Sequence, residues 1–136
     1  MPQDTLQIIV FRKIKDNYEF LLLKRIPKRG GFWQTLSGRL EKEEPLEGAK
    51  RELKEETGIT ETKRTIKLSD YPNGQEAFTE YALAFEVSPK TEINLNQNIY
   101  PEHDELKWLN INEAIELAQW PQYKKALKEL NIILEK

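Results

Sequence analysis

The chain has 136 residues, a length that fits one compact domain over residues 1–136. Of these residues 38% are hydrophobic and 32% are charged, a composition that excludes an intrinsically disordered chain. Its net charge of −2 and the lack of a basic stripe argue against an extended nucleic-acid partner. Cysteine is absent, and apolar runs of about four residues are far shorter than the ~20 residues that cross a bilayer. We therefore expect a cytoplasmic protein without disulfides, thiolate metal sites or a membrane partner.

The first third of the sequence predicts a β-hairpin and a short strand separated by a loop. Two segments rich in β-branched and apolar residues flank a turn, as in a hairpin. The loop that follows is basic, and Gly30 and Gly31 let the chain turn freely there. The short strand is expected to end at Ser37 and Gly38. The predicted elements are strands at residues 6–11, 20–23 and 32–36, a turn at 15–17 and the loop at 27–31.

A helix is predicted over residues 45–57. Pro45 suits the first helical position, because the N–H group that it lacks would be unpaired there in any residue. Gly58 follows the helix and can adopt the left-handed conformation that ends one. Three apolar residues recur at helical spacing and predict the buried stripe. They are Leu46, Ala49 and Leu53.

The second half of the sequence predicts further strands and two helices. Asn110, with Glu113 three residues later, is typical of a reciprocal cap at a helix start. Strands interspersed with helices favour an α/β fold in which helices cover both faces of a mixed β-sheet, an α/β/α sandwich. The predicted elements are strands at residues 64–68, 77–87 and 105–109, a turn at 71–74, a helix at 113–119 and a last helix from residue 121.

One side of the helix at residues 45–57 is strongly acidic. Glu52, Glu55 and Glu56 lie three or four positions apart or adjacent, so they project from a common side. Like charges at this spacing repel each other, and the helix dipole disfavours them near the C-terminus. A divalent cation would relieve both penalties, and carboxylates suit Mg²⁺ or Mn²⁺. On helix composition alone, a solvated face with pairs such as Arg51 and Glu55 is the favoured explanation.

The wider string of residues resembles the signature of the Nudix hydrolase family. That signature runs Gly, five residues, Glu, seven residues, then Arg-Glu-apolar-any-Glu-Glu-any-Gly-apolar, and residues 51–59 match it at every specified position. The Phe32-Trp33-Gln34 segment and the acidic residues 102–105 also resemble the family. The resemblance covers nearly the whole chain and implies a Nudix-type α/β/α sandwich. It also implies a loop–helix–loop that holds Mg²⁺, which Mn²⁺ can replace.

The chain departs from the signature in one place, because it is one residue shorter between Gly38 and Arg51. Seven residues lie between Glu43 and Arg51, as the signature requires. The required five residues lie between Gly38 and Glu44 instead. A residue lost from a helix would rotate everything before it by about 100°. A loop absorbs a deletion more easily. We therefore assign Glu43 as the first signature glutamate and place the gap in residues 39–42.

The resemblance implies a role for each signature residue. In the family, water attacks a substituted nucleoside diphosphate while metal ions screen the phosphate charge. Arg51 would hold a glutamate carboxylate through its two-pronged guanidinium, and Glu55 would be a metal ligand or orient the water. The implied metal ligands are Glu52, Glu55, Glu56 and the carbonyl of Ser37, which replaces the usual glycine. The structural positions are Gly38, Glu43 and Gly58, and Gly38 also borders the substrate.

Several residues outside the signature are candidates for contact with the substrate. Arg25, Lys28 and Arg29 border the glycine loop and either contact phosphates or belong to a solvated loop. Trp33 either stacks on a base or packs in the core. Together with Gly38, these four are the predicted substrate-binding residues.

Acidic residues outside the signature are candidates for a further ligand or base. Of Glu102 and Glu105, we favour Glu102 as the catalytic residue. His103 is the only histidine, and we expect it to be incidental. Glu80 either points toward the metal ions or is one of the outward carboxylates that strands commonly carry. The predicted catalytic residues are therefore Arg51, Glu52, Glu55 and Glu102.

These features together predict a Mg²⁺-dependent pyrophosphohydrolase whose partner is a small nucleotide. Residues 32–34 and 102–121 resemble the branch that acts on dATP or dihydroneopterin triphosphate. The alternatives are a diadenosine polyphosphate hydrolase and a Nudix module that senses a nucleotide without cutting it. Homodimers are common in the family, although no exposed apolar stripe in this sequence requires one.

Overall fold

The computed structural model describes residues 3–72, 78–96 and 98–136, and these contain eight strands and three α-helices. The strands are β1 (Thr5–Ile14), β2 (Asn17–Arg25), β3 (Trp33–Gln34), β4 (Leu36–Arg39), β5 (Arg64–Lys67), β6 (Tyr71–Pro72), β7 (Thr79–Val87) and β8 (His103–Leu109). The helices are α1 (Pro45–Thr57), α2 (Ile111–Leu117) and α3 (Pro121–Leu134), and a short 3₁₀ turn spans Pro27–Arg29.

The centre of the sheet is strand β1, which is parallel to β7 and antiparallel to its other neighbours. One edge of β1 pairs with β7, while the other edge is shared by β4 at one end and β2 at the other. Strand β2 is arranged in the same way. It pairs with β8 along one edge, and β1 and β3 share its other edge. The β1–β2 hairpin therefore opens into a fork, and β3 and β4 fill it in the middle of the sheet.

Helices cover both faces of this mixed sheet, which confirms the predicted α/β/α sandwich. Alternate residues of β1 point to opposite faces. Leu6 and Ile8 belong to a core that includes Leu53 of α1, whereas Ile9 belongs to a core with Leu127 of α3. All five side chains are almost fully buried. No helix among the described residues is long and apolar enough to span a membrane.

Helix α1 has the predicted bounds, and Gly58 ends it with the left-handed φ of 77°. The predicted buried stripe is partly wrong, because Leu46 is 40% exposed while Glu52 and Glu56 are buried. Leu46 lies in the first turn of α1 and borders an open groove between the helix and β7. The glutamates lie farther along, where the helix crosses the fork. Two of the three glutamates on the acidic side thus face the protein, while Glu55 stays exposed to solvent.

Two predicted strand boundaries around the fork are wrong. The segment at residues 32–36 is not one strand, because Thr35 separates β3 from β4. Ser37 and Gly38 do not end a strand but lie inside β4, opposite Gln7 and Leu6 of β1. The physical reason is the fork itself, since the chain leaves β2 for β1 at Thr35.

Other predicted boundaries shift by a few residues. Tyr71–Pro72 pairs with β7 as a short strand, so the predicted turn at residues 71–74 is wrong over its first half. Its second half, and residue 77 at the predicted start of β7, lie outside the described residues. Helix α2 begins at Ile111 and ends at Leu117, two residues earlier at each end than predicted. Its reciprocal cap between Asn110 and Glu113 is confirmed.

We expect Leu127→Ala to lower the free energy of unfolding by about 2–5 kcal/mol, because Leu127 is 0% exposed and its removal leaves a cavity under the sheet. Ile132→Ala on the same helix is the matched control, since Ile132 is 57% exposed. The control should change stability by only ~0.5 kcal/mol. Urea unfolding followed by circular dichroism measures both, and equal losses in the two variants would contradict the assigned α3 face.

Candidate active site

The guanidinium of Arg51 gathers the glutamates at the junction of β4 and α1. It contacts Glu43 through Nε at 3.1 Å and through Nη2 at 2.6 Å. Its Nη1 donates to Glu52 at 3.0 Å and to Glu55 at 3.4 Å. Its Nη2 also donates to the carbonyl of Arg39 at 3.0 Å. The surrounding carboxylates, Glu43 above all, raise the pKa of Arg51, so its charge is permanent.

The contact with Arg51 distinguishes the two candidates for the first signature glutamate. Glu43 receives hydrogen bonds from Arg51, which hold the pKa of its carboxyl below the ordinary value. Glu44 is instead the exposed residue that precedes the first turn of α1. The shortened loop is closed by the N–H of Leu40, which donates to the carbonyl of Asp4 at 3.0 Å. The contact between Glu43 and Arg51 agrees with our placement of the missing residue in this loop, which stays a prediction.

Gly38 gives the carboxylate of Glu52 its place against the sheet. A Cβ atom at Gly38 would lie 2.4 Å from Cδ and 2.7 Å from Oε1 of Glu52, so the carboxylate of Glu52 would have to move. Glu52 is only 8% exposed, and its burial raises the pKa of its carboxyl above the ordinary value. The backbone of Gly38 therefore lies directly against a buried carboxylate.

Glu56 meets an acidic residue from a distant part of the chain. The carboxyl of Glu102 lies within hydrogen-bonding reach of Glu56, which is 3% exposed. Burial first, and then Glu102, raise the pKa of Glu56 well above its ordinary value. Asn98 Nδ2 also donates to Glu56 at 3.3 Å. Glu105, the other candidate, is 56% exposed and lies 3.9 Å from Lys24, so the structure places Glu102 and not Glu105 at the cluster.

The four carboxylates of this cluster suit a hard divalent cation. Glu52 and Glu56 are buried like charges next to Glu102, an arrangement that costs free energy unless a cation or a proton neutralises it. Glu55 has a half-exposed side chain at the rim. Within residues 3–72, 78–96 and 98–136, no three acidic or histidine side chains already surround one point. Mg²⁺ does not need such a cage, because it keeps waters and binds one or two carboxylates with substrate phosphates.

An open cavity of about 660 Å³ adjoins the cluster, a volume in the range of nucleotide-sized ligands. Lysine and arginine nitrogens, a carboxylate and an amide line it together with one exposed apolar side chain. The lining residues are Arg51, Lys54, Glu55, Asn98 and Ile99.

The predicted substrate-binding residues occupy different environments. Arg25 and Arg29 reach Glu102 at 3.5 and 3.3 Å, so both cations border the acidic cluster. Lys28 is exposed on the 3₁₀ turn between them. Trp33 is half-buried against the core, with the ammonium of Lys107 5.0 Å from the centre of its ring. The structure thus brings the two arginines to the cluster, while Trp33 packs at its edge.

Sequence reasoning missed that two polar residues, His103 and Gln34, are buried. His103 is 4% exposed, and burial lowers its pKa to about 4. Its Nε2 lies 3.1 Å from Oε1 of Gln34, which is 0% exposed. A bulge in β8 causes this, because Lys24 lies opposite Glu105 while Arg25 lies opposite His103. The sequence carries no signal for that bulge.

Glu80 belongs to a separate buried network on the α3 face of the sheet. It accepts a hydrogen bond from Thr5 at 2.8 Å and one from Tyr71, and Gln7 donates to it at 3.3 Å. Gln7 also donates to the backbone carbonyl of Gln122 in α3 at 3.3 Å. The side chain of Glu80 therefore points neither to solvent nor to the carboxylates of α1.

A family model described as the NUDIX domain matches residues 3–130. The chain belongs to the NUDIX family. It is a Nudix hydrolase, an enzyme that acts on pyrophosphate bonds, and such enzymes generally use a divalent metal ion such as Mg²⁺. A structure of a NUDIX hydrolase from Listeria monocytogenes superposes with a TM-score of 0.81 at 30% identity, covering 98% of this chain and 95% of that one.

Two relatives are similar to this Nudix chain over most of its length. The asymmetrical bis(5′-nucleosyl)-tetraphosphatase of Mus musculus is 35% identical over 137 residues, covering 90% of this chain and 88% of the relative. An octanoyltransferase of Myxococcus xanthus is 32% identical over 134 residues, but this chain spans only 36% of that relative. The dihydroneopterin triphosphate pyrophosphohydrolase structure from E. coli has a TM-score of 0.66 at 21% identity, over 93% of this chain and 94% of that one, and shows the fold alone.

We expect Gly38→Ala to reduce metal-dependent turnover by roughly 10–100-fold, because the new methyl group would displace the carboxylate of Glu52. Affinity for Mn²⁺, measured by calorimetry, should fall with it. Circular dichroism should show that the fold is kept, since the displaced group is the far end of a side chain. Unchanged turnover and Mn²⁺ affinity would mean that the position of Glu52 is not set by Gly38.

Proposed function

We propose that this Nudix hydrolase uses Mg²⁺ to hydrolyse a diphosphate linkage in a nucleoside polyphosphate. The observation that carries the proposal is the pair of buried carboxylates, Glu52 and Glu56, with Glu102 beside them from the bend that precedes β8. Nothing in packing rewards two buried carboxyl groups with a third, partly buried one next to them. A cation between the protein and the substrate phosphates accounts for all three.

We assign the roles of the residues from the family signature, and their exposure and contacts support the assignment. Glu52 and Glu56 are the metal ligands, together with the backbone carbonyl of Ser37. Glu55 is half-exposed at the rim, where it contributes a ligand or orients the attacking water. Arg51 holds the carboxylates of Glu43 and Glu52 in place through its hydrogen bonds. Bound Mg²⁺ supplies charge neutralisation of the phosphates and a more acidic water.

The cationic side of the site suits an anionic substrate. Arg25 and Arg29 lie beside the acidic cluster and, with Lys28 on the same loop, offer guanidinium and ammonium groups to phosphate oxygens. Glu102 competes for the two arginines, so a bound phosphate would redistribute these contacts. Trp33 would border the base of the substrate and not stack beneath it, because its ring already packs on the core.

Two substrate classes have separate support. Residues 32–34 and 102–121 support a deoxynucleoside triphosphate such as dATP or a pterin triphosphate. The 35% identity with the mouse bis(5′-nucleosyl)-tetraphosphatase supports a dinucleoside polyphosphate. Both classes present the same chemistry to the glutamates, a phosphoanhydride flanked by further phosphates. They differ in the group beyond the phosphates, which the loops around the cavity select.

We expect Mg²⁺-dependent turnover from a panel of dATP, dihydroneopterin triphosphate, diadenosine tetraphosphate and a nucleotide sugar, followed by phosphate and pyrophosphate release and by chromatography of the nucleotides. Glu55→Gln and Glu56→Gln should each lose roughly 10²-fold or more of kcat. Glu47→Gln is the matched control, because Glu47 is an exposed glutamate in the first turn of the same helix. It should keep full activity.

Each outcome of this panel decides between the proposed activities. Pyrophosphate and a monophosphate from a triphosphate substrate would establish the first class, whereas AMP and ATP from diadenosine tetraphosphate would establish the second. Nucleotide binding without turnover, in a folded protein, would replace the enzyme by a sensing module.

A further inference from the structure

Gln34 is a hydrogen-bonding centre that no step of the proposed reaction uses. It lies on β3 in the fork of the sheet and is 0% exposed. Its Nε2 donates to Ser37 Oγ and to the hydroxyl of Tyr123, each at 3.0 Å. Its Oε1 lies 3.1 Å from Arg25 Nη1 and 3.1 Å from His103 Nε2. Both ends of one buried amide are therefore fully used.

The chemistry of these partners fixes which atom is which. A guanidinium can only donate, so the amide atom that faces Arg25 must be the oxygen. His103 Nε2 faces that same oxygen and must therefore carry a proton and donate it. The direction of this hydrogen bond follows from the neighbouring arginine and not from the histidine alone.

Arg25 connects this amide to the acidic cluster. Its Nη1 is held by Gln34, and its Nη2 lies 3.5 Å from Glu102 Oε1. The backbone carbonyl of Glu102 accepts a hydrogen bond from the N–H of Ile26 at 3.0 Å. Glu102 is thus tied at its main chain and its carboxylate, next to Glu56. A continuous path of contacts leads from His103 through Gln34 and Arg25 to the cluster.

Stability alone does not explain these polar residues. Within the part of the chain that the structure describes, Arg25 Nε and His103 Nδ1 are buried without a hydrogen-bond partner. A buried polar atom that makes no hydrogen bond destabilises the fold. An apolar pair at this facing position of β2 and β8 would avoid both costs. The arrangement is therefore better explained by the orientation it gives to Arg25 than by its contribution to folding.

We propose that Gln34 and His103 are positioning residues, which together fix the guanidinium of Arg25 so that Arg25 holds Glu102 against Glu56. The inference rests on the proposed hydrolase function and deepens it, because it assigns two residues that touch neither metal nor substrate. His103 acts through Gln34, and Gln34 through Arg25. The bulge in β8 has the specific effect of turning His103 inward to reach the amide.

The hydrogen-bond direction is tested without any catalysis. The chain has 1 histidine, so a long-range ¹H–¹⁵N correlation spectrum of labelled protein at neutral pH shows a single ring. We expect the neutral Nε2–H form. Observation of the Nδ1–H form, or of rapid exchange between the two forms, would overturn the proposed path whatever the enzyme hydrolyses.

The positioning role is tested by kinetics with matched variants. His103→Gln keeps an N–H donor that reaches Gln34, whereas His103→Leu removes it. We expect His103→Leu to lower kcat roughly tenfold with KM changed by less than about twofold, and His103→Gln to stay near the wild type. Asp104→Ala, at the exposed residue next in β8, is the control and should leave both constants unchanged. Thermal unfolding of each variant separates loss of folded protein from loss of rate.

A double-mutant cycle decides whether His103 acts through Glu102. In the Glu102→Gln background, His103→Leu should cause no further fall in kcat, because the carboxylate that it helps to position is gone. Independent, multiplicative losses would overturn the proposal. If the wild type itself turns over no nucleotide, the proposed function fails while the histidine spectrum still judges the hydrogen-bond path. The two failures are therefore distinguishable.

Discussion

Burial of like charges is the constraint on which the rest of this structure depends. Glu52 and Glu56 lie one turn apart on α1, and both are removed from solvent by the sheet. A buried carboxylate is costly unless it is paired, protonated or bound to a metal ion. Arg51 offsets part of this cost at Glu52, whereas at Glu56 the carboxyl of Glu102, just before β8, raises the cost further.

The forked sheet makes such burial geometrically feasible. Because β3 and β4 fill the gap between β1 and β2, backbone from the middle of the sheet reaches the side of α1 that carries the glutamates. Gly38 has no side chain, so Glu52 can rest on that backbone. The same fork carries Gln34 into the interior, where it meets His103 from the neighbouring strand β8. One departure from a regular sheet thus serves both the carboxylates and the residues that orient their partners.

Local sequence predicts the parts of this site that lie on one element. The bounds of α1, the left-handed Gly58 and the cap at Asn110 depend on neighbouring residues, and all three are confirmed. Which helix positions are buried was harder to predict from the sequence, as Leu46 shows, because burial depends on where the sheet ends beneath the helix. His103 could not be placed at all, since the bulge that turns it inward arises from the pairing of two strands about eighty residues apart.

We propose that the carboxylates of α1 hold a divalent cation. Crystals grown with Mn²⁺ would show directly whether they do. Mn²⁺ takes the same oxygen ligands as Mg²⁺ and gives an anomalous signal that identifies it without ambiguity. We expect an anomalous peak in contact with the side chains of Glu52 and Glu56. This peak should disappear in crystals of Glu56→Gln. No peak at these carboxylates, or a peak only elsewhere on the surface, would contradict it.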